Sequence, residues 1–384
     1  MTRPVRILQV LGGMELGGAE TWLMHVLRKI DREQFRIDFL VHAAEKCAYD
    51  DEVLALGSRL LRCPSPSLSL SYPRAFMRIV RSEGPYDVLH SHVHYFSGFI
   101  LSLARRAGIP ARIAHSHTDA RAHPREASCF RQCYRNVMRA LIWRNATQGL
   151  AASRLAAEDL FGSDWERDGR FRVLHCGLDL AQYAERVDGP AIRKELGLPA
   201  NALVVGHVGR FVSEKNHVQL VDVVAEMVRL DPRVHALFVG DGPLRSEIER
   251  RVASEGIGGR IVFAGPRRDV ARLLRGAMDV FVFPSLAEGL GLAVVEAQAA
   301  GVPCLVATSV PSEVAQSPLV SWLPLKESPA VWARRALVLA RTMRRPLPST
   351  VGWTYELRTS LRALEEQYLR PTIEANRRWI SSSL

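Results

Sequence analysis

Glu288 and Glu296 flank the run Gly-Leu-Gly-Leu-Ala-Val-Val, so seven residues separate two carboxylates. A pair of acids first suggests a general acid and a general base. Their setting suggests another use. Gly289 and Gly291 lack a Cβ and let the backbone come close to a ligand. Leu290 to Leu292 open a predicted helix, whose first N–H groups have no intrahelical partners and suit an anion. Glu288 then lies in the loop and Glu296 a turn or more behind it. Two carboxylates so placed can grip different hydroxyl-bearing parts of one ligand. A loop solvator and an exposed helix residue are the plainer alternative.

Further clusters carry chemistry of their own. Gly206-His-Val-Gly-Arg-Phe-Val-Ser-Glu-Lys-Asn-His217 brings Arg210 and Lys215 onto one loop. Two such cations can hold a diphosphate, arginine by its planar fork and lysine as a point charge; an ordinary surface loop is the other reading. Gly17-Gly18-Ala19-Glu20 offers backbone donors at a helix start, but is neither the dinucleotide G-x-G-x-x-G nor a P-loop. His90-Ser-His-Val-His94 and His115-Ser-His-Thr-Asp119 alternate histidines, which point the same way on extended backbone. Polar contacts lining a cleft fit them better than a zinc site, because no acid-rich partner pattern accompanies them. Buried structural histidines are the third option. Gly240-Asp-Gly-Pro-Leu244 and Cys176-Gly-Leu-Asp179 read as turns at strand ends.

The elements that must position these clusters alternate between strand and helix. In the first half the predicted strands are Val5–Leu11, Arg36–Val41, Arg59–Cys63, Val88–Ser91, Ala111–His115, Gly149–Ala152 and Arg172–Leu174. In the second they are Leu203–Val208, Val234–Gly240, Ile261–Ala264, Val280–Pro284 and Pro303–Ala307. Helices fall between them, among them Ala19–Ile30, Ser128–Arg144, Val218–Arg229 and Gly291–Ala300, and Tyr355–Tyr368 follows. Alternation of this kind implies α/β domains with parallel, doubly wound sheets. Ligands bind such sheets at the carboxyl ends of the strands, where nearly every polar cluster lies. A polar segment at Asp188–Pro199 separates the halves. The expected domains are 1–187 and 188–370, with a tail at 371–384 packing back on the first.

Size and composition agree. A chain of 384 residues, 47% hydrophobic and 24% charged, suits two globular domains rather than a disordered or fibrous chain. The net charge is +11, and residues 101–150 hold nine arginines against Asp119 and Glu126. No zinc-finger spacing or RNA-binding signature accompanies the charge, so nucleic acid is not an expected partner. Cys129 and Cys133 have helical spacing, and no second pair completes a metal site, which points to reduced thiols in a cytoplasmic protein. No uncharged apolar stretch reaches the roughly 18–20 residues of a membrane span.

The ordered set GGAE, HSH, GRFVSEKNH, GDGPL and EGLGLAVVEAQAAGVP resembles the retaining glycosyltransferases of family GT4. That family has the GT-B fold, two facing Rossmann-like domains with parallel sheets and an interdomain cleft. The resemblance covers about residues 5–368. It implies an N-terminal acceptor domain, a C-terminal nucleotide-sugar domain, and a role for each matching position. Arg210 and Lys215 would hold the donor diphosphate. Glu288 would contact the donor sugar, with Leu290, Gly291 and Leu292 beside it, and Glu296 the ribose. Gly17 and Gly18 would close over the phosphates. His117 would lie near the reacting centre, with His115 not separable from it by spacing; the implied catalytic set is His117, Arg210, Lys215 and Glu288. Cys176 stands where the family often has asparagine, which puts a polar contact there in doubt.

The activity so implied is hexosyl transfer, with retention, from a nucleotide-diphosphate sugar to a hydroxyl of a glycan or lipid-linked acceptor in cell-surface polysaccharide or glycoconjugate synthesis. Neither metal nor cofactor is expected, because fixed cations and helix-end N–H groups can stabilise the departing diphosphate. A helix bearing Arg131, Arg135 and Arg139, with Phe130, Cys133, Val137 and Leu141 on an apolar side, could sit on an anionic membrane surface. A core-packed helix with a solvated arginine stripe is the alternative. Rival readings are a nucleotide-sugar epimerase, a sugar phosphorylase and a non-catalytic nucleotide-sugar-binding protein.

Overall fold

The computed structural model describes residues 3–64, 71–118, 129–342 and 352–382, with side chains described through residue 370. Asp119, Ser128 and most of the Pro/Ser-rich stretch after Pro64 lie outside these. The chain divides into two compact units, one formed by Met1–Gly177 with Leu357–Leu384 and the other by Leu178–Glu356.

The first unit holds a seven-stranded sheet. Its strands are β1 (Val5–Leu11), β2 (Phe35–Val41), β3 (Leu60–Arg62), β4 (Val88–Ser91), β5 (Ala111–Ser116), β6 (Gln148–Ala151) and β7 (Phe171–Val173). All pairs are parallel, in the order β3-β2-β1-β4-β5-β6-β7. Chain order reverses between β1 and β4, which makes that crevice the switch point where ligands of such sheets bind. The apolar runs of β1 and β4 are buried on both faces, as central parallel strands require. The helix Gly18–Lys29 covers the sheet with Trp22, Leu23, Val26 and Leu27, all buried at helical spacing.

The second unit repeats the scheme with β8 (Leu203–Val208), β9 (Val234–Val239), β10 (Ile261–Gly265), β11 (Val280–Phe283), β12 (Cys304–Ala307) and β13 (Val320–Leu323). The order β10-β9-β8-β11-β12-β13 is again parallel, with its switch point between β8 and β11. The helix His217–Leu230 packs on it through buried Leu220, Val221, Val224 and Met227. Each such side chain contributes about 1.5–3 kcal/mol of burial.

Two expectations about organisation need correction. The first unit ends at Gly177, not at 187, and the chain returns to it at Leu357, not at 371. The cause is the helix Leu357–Ser382, whose Leu357, Leu361, Leu364 and Tyr368 are buried at spacings of four, three and four. Tyr368 lies 6.1 Å from the Phe35 ring, and Gln148 Nε2 donates to the Gln367 carbonyl at 3.0 Å. These residues belong to the first core although they follow the second sheet in sequence. Strand β13 and the helices Arg154–Phe161 and Gly189–Glu195 were not predicted.

Candidate functional site

In the second unit, the loops after β8 and β11 flank the switch point. Two hydrogen bonds bind them together: Leu286 N–H donates to the Glu214 carbonyl at 2.8 Å, and Asn216 Nδ2 donates to the Pro284 carbonyl at 3.1 Å. Lys215 and Glu288, 73 positions apart, therefore meet, with Lys215 Nζ donating to Glu288 Oε1 at 2.5 Å. The ammonium also lies 5.1 Å from the centre of the Phe283 ring. An ammonium has three donors, so two remain for a ligand. Arg210 is exposed and has no ion-pair partner among the described residues. The arrangement presents one unneutralised guanidinium and a lysine–glutamate pair at one strand end, which suits an anion beside a polyhydroxyl group.

The Gly240-Asp-Gly-Pro-Leu244 turn braces the Arg210 loop. Phe211 N–H donates to the Asp241 carbonyl at 2.9 Å, and Leu244 N–H donates to the Phe211 carbonyl at 3.0 Å. A Cβ on Gly240 would fall 2.1 Å from the Gly209 carbonyl oxygen, so only glycine permits this approach. His217 stacks on Phe211 with centroids 4.1 Å apart, and burial pushes its imidazole down to about 2. It is a neutral packing residue.

Gly291 caps the helix Leu292–Ala299 at φ +94°, the left-handed region that glycine adopts without strain. No side chain caps this end. Leu290 is buried and Leu292 partly so. Glu296, on that helix, is partly buried, and burial lifts its carboxyl to about 7. Tyr183 Oη donates to Glu296 Oε1 at 2.9 Å, which opposes the rise and leaves Oε2 for a ligand. Tyr183 itself is buried on the short helix Ala181–Ala184. Sequence reasoning missed it, for no motif marks a tyrosine four residues after a turn.

In the first unit, the loops after β1, β4 and β5 gather at the other switch point. Gly17 caps the helix Gly18–Lys29 without a side-chain hydrogen bond. The Glu20 carboxylate folds back over it, since a Cβ at Gly17 would fall 2.2 Å from Glu20 Oε2. The expected backbone donors therefore already face a carboxylate, which suits the positive end of the helix. The histidines form a hydrogen-bonded cluster. His92 Nδ1 lies 2.8 Å from His117 Nε2, and His90 Nε2 lies 3.1 Å from His115 Nδ1. His90 Nδ1 meets Tyr368 Oη at 2.9 Å, and His92 Nε2 meets Gln9 Oε1 at 2.8 Å. His117 Nδ1 faces Cys176 Sγ at 3.7 Å. Trp22 packs against the group, its ring centre 5.3 Å from that of His115.

This cluster corrects the expectation that all these histidines line a cleft. His90 and His115 are fully buried, whereas His92 and His117 keep partial exposure. Of the two histidines that spacing could not separate, only His117 reaches the surface. Burial and the neighbouring rings hold His90, His92 and His115 neutral, well below the usual imidazole range, and His117 falls to about 3. His90, His92 and His115 bring ring nitrogens within 4.8 Å of one another, as a metal cluster would. Five of their six nitrogens are already hydrogen-bonded; His115 Nε2 is not. Gln9 and Tyr368 were missed. Gln9 had a signal, being an uncharged polar residue inside the apolar run of β1.

The helix Cys129–Asn145 splits both expected stripes: Arg131 is exposed and Leu141 packs against the core, while the other two arginines and the other apolar residues depart from a core-packed helix with a solvated arginine stripe. Arg135 and Arg139 face inward: Arg135 Nη2 reaches Asp159 Oδ1 at 3.0 Å and Tyr95 Oη at 2.7 Å, and Arg139 Nη2 donates to the Asp159 carbonyl at 2.9 Å. A fully buried Asp159 carboxylate demands such partners. Phe130 and Val137, exposed by 79% and 48%, point outward with Cys133. All six cysteines are free thiols. No helix among the described residues is long and apolar enough to cross a membrane.

Residues 188–316 match the family described as glycosyl transferases group 1, and residues 17–177 the glycosyl transferase 4-like domain. The chain is 38% identical over 376 residues to the putative glycosyltransferase EpsF of Bacillus subtilis (strain 168), covering 94% of this chain and 96% of that one. It is 26% identical over 307 residues to the UDP-Gal:alpha-D-GlcNAc-diphosphoundecaprenol alpha-1,3-galactosyltransferase of Escherichia coli, covering 76% of each. Among solved structures, Anabaena Alr3699/HepE in complex with UDP and glucose matches with a TM-score of 0.77 at 20% identity, covering 94% of this chain and 98% of that one. WaaG, a glycosyltransferase involved in lipopolysaccharide biosynthesis, matches with a TM-score of 0.68 at 16% identity, covering 96% and 98%.

Proposed function

The chain belongs to the glycosyl transferases group 1 family and is a glycosyltransferase of the GT-B fold, and we propose that it moves a hexosyl group, with retention, from a nucleotide-diphosphate sugar to a hydroxyl of a glycan or lipid-linked acceptor. The observation that carries this reading is the meeting of Lys215 with Glu288 beside the exposed Arg210, at the carboxyl ends of β8 and β11. Breaking the anomeric bond leaves new negative charge on the diphosphate. Arg210, Lys215 and the uncapped start of the helix Leu292–Ala299 are placed to stabilise it without reorganising. Fixed cations can do the work of a metal ion, so turnover is expected without one.

Glu288 and Glu296 recognise rather than react. Glu288, tied to Lys215, takes the donor sugar, while Glu296 takes the ribose through its unpaired oxygen. Among the described residues no carboxylate stands out as a nucleophile with a paired base, so attack by the acceptor hydroxyl on the face the diphosphate leaves is favoured. His117 lies in the first unit at the end of β5, where it would face the acceptor. The E. coli relative uses UDP-Gal and a diphosphoundecaprenol-linked acceptor by its name, and the capsular enzyme CapH of Staphylococcus aureus serves polysaccharide biosynthesis by its own. These support a UDP-sugar donor and a cell-surface polysaccharide product here. The outward stripe of Phe130, Cys133 and Val137, with exposed Arg144 on the same helix, supports peripheral contact with an anionic membrane.

A panel of UDP- and GDP-sugars, assayed for nucleotide release with and without a lipid-linked acceptor extract and with a chelator added, tests the reading. Acceptor-dependent release with retained anomeric configuration is the expected result. Turnover of the nucleotide sugar without an acceptor would make the enzyme an epimerase or hydrolase instead.

A further inference from the structure

Gln9 lies in the middle of β1, fully buried, and pairs in register with His90 on β4 across the switch point. Its amide has two different ends, and each starts a chain of hydrogen bonds. Nε2 donates to Tyr368 Oη at 2.8 Å, and Oε1 accepts from His92 Nε2 at 2.8 Å. We infer that Gln9 is a positioning residue that sets which ring nitrogen of His117 carries the proton, leaving Nε2 protonated and Nδ1 bare.

An amide oxygen only accepts, so His92 carries its proton on Nε2. A neutral imidazole has a single N–H, and burial keeps His92 neutral, so its Nδ1 is bare. His92 Nδ1 lies 2.8 Å from His117 Nε2, and the proton of that bond must come from His117. His117 is neutral too, which leaves its Nδ1 as a lone pair facing Cys176 Sγ at 3.7 Å. Burial pushes the Cys176 thiol up, so it remains S–H and donates weakly to that lone pair. On the other branch, Tyr368 Oη accepts from Gln9 and gives its own proton to His90 Nδ1 at 2.9 Å. His90 Nε2–H then donates to His115 Nδ1 at 3.1 Å. Turning the Gln9 amide over would reverse every proton in both branches. One amide thus governs six side chains beyond it, and Tyr368 reaches it only because the last helix returns to the first unit.

The inference rests on the proposed function in one respect, the placing of His117 at the reacting centre. There a bare Nδ1 suits accepting a hydrogen bond from a sugar or acceptor hydroxyl, which would displace the weak thiol contact. An Nδ1–H could not do this.

Long-range proton–nitrogen correlation spectra of the ¹⁵N-labelled full-length protein read imidazole tautomers directly. The expected wild-type spectrum shows His117 protonated at Nε2. Gln9→Leu removes the acceptor for His92, and His117 should become a mixture of tautomers, with kcat lowered about tenfold and donor KM unchanged. Gln9→Glu keeps an acceptor for His92 and should restore the His117 signature. Tyr368→Phe cuts only the other branch, so it should alter His90 and His115 while leaving the His117 tautomer as in wild type. A wild-type His117 carrying its proton on Nδ1, or a His117 signature indifferent to Gln9→Leu, overturns the inference. If Gln9→Leu does not fold, the wild-type and Tyr368→Phe spectra still decide. Near-normal transfer by His117→Ala would overturn the placing of His117 at the reacting centre, whatever the spectra show.

Discussion

Replacing Tyr183 with phenylalanine isolates the role of Glu296. Burial lifts the Glu296 carboxyl to about 7, so it is neutral at lower pH and ionises as pH rises through that value. The Tyr183 Oη bond at 2.9 Å favours the ionised form. A hydrogen bond to a charged group is worth about 1.5–3 kcal/mol, and the protonated acid keeps part of it. A differential of about 1.4 kcal/mol corresponds to roughly one pH unit, so the carboxyl of Tyr183→Phe should titrate near ~8. At pH 7 the ionised fraction then falls from about a half to about a tenth. If the carboxylate is the form that binds ribose, donor KM rises about fivefold at neutral pH and converges with wild type near pH ~9, while kcat changes little. Donor-saturation curves by nucleotide release, from about pH 6 to about pH 9, provide the assay. Glu296→Gln serves as the reference, with KM high and independent of pH. A Tyr183→Phe profile that superimposes on wild type, or whose inflection moves to lower pH, refutes this account of Glu296.

The same group predicts a stability effect. Because the folded carboxyl stands above its usual 4.5, wild type loses stability relative to Glu296→Gln as pH rises from there through about 7, and thermal melts should show the gap level off above it. Lys215→Ala and Arg210→Ala should each lower turnover by about a hundredfold or more, the cost of removing a preorganised partner of developing charge, and single-turnover rates check this. Flotation with vesicles containing anionic lipid should retain the wild type at low salt and lose a Phe130→Asp, Val137→Asp double variant; equal flotation of both would remove the membrane contact. Asp159→Ala deprives Arg135 and Tyr95 of a buried acceptor, and urea unfolding should register a loss of about 3–5 kcal/mol.

Much of the fold was legible because its signals are local. Apolar runs such as Val5–Leu11 and Val280–Phe283 are bounded by glycine or proline, and each reads as a buried strand without tertiary information. Strand β13 was not legible because Val320–Leu323 is a short, half-buried edge with no periodic pattern. In the site, Arg210, Lys215, Glu288 and Glu296 were visible as residue types at strand ends. Their partners were not. Tyr183 meets Glu296 across 113 positions and Gln9 meets Tyr368 across 359, distances over which a linear pattern carries no information. The helix Cys129–Asn145 misled for a different reason. Periodicity marks two faces but not which one is inside, and the buried Asp159 drew Arg135 and Arg139 inward.

The return of Leu357–Ser382 to the first unit has a consequence for synthesis. A ribosome releases the second unit, Leu178–Glu356, as one contiguous stretch before the first can be completed. Until the last helix emerges, Phe35 lacks Tyr368 as a neighbour and Gln9 lacks its acceptor. The second unit can therefore finish folding ahead of the first, although it begins later. It is also the piece that two cuts excise whole, whereas no single cut yields an intact first unit. A nonsense mutation between Glu356 and Tyr368 would leave a finished second unit attached to an open first one.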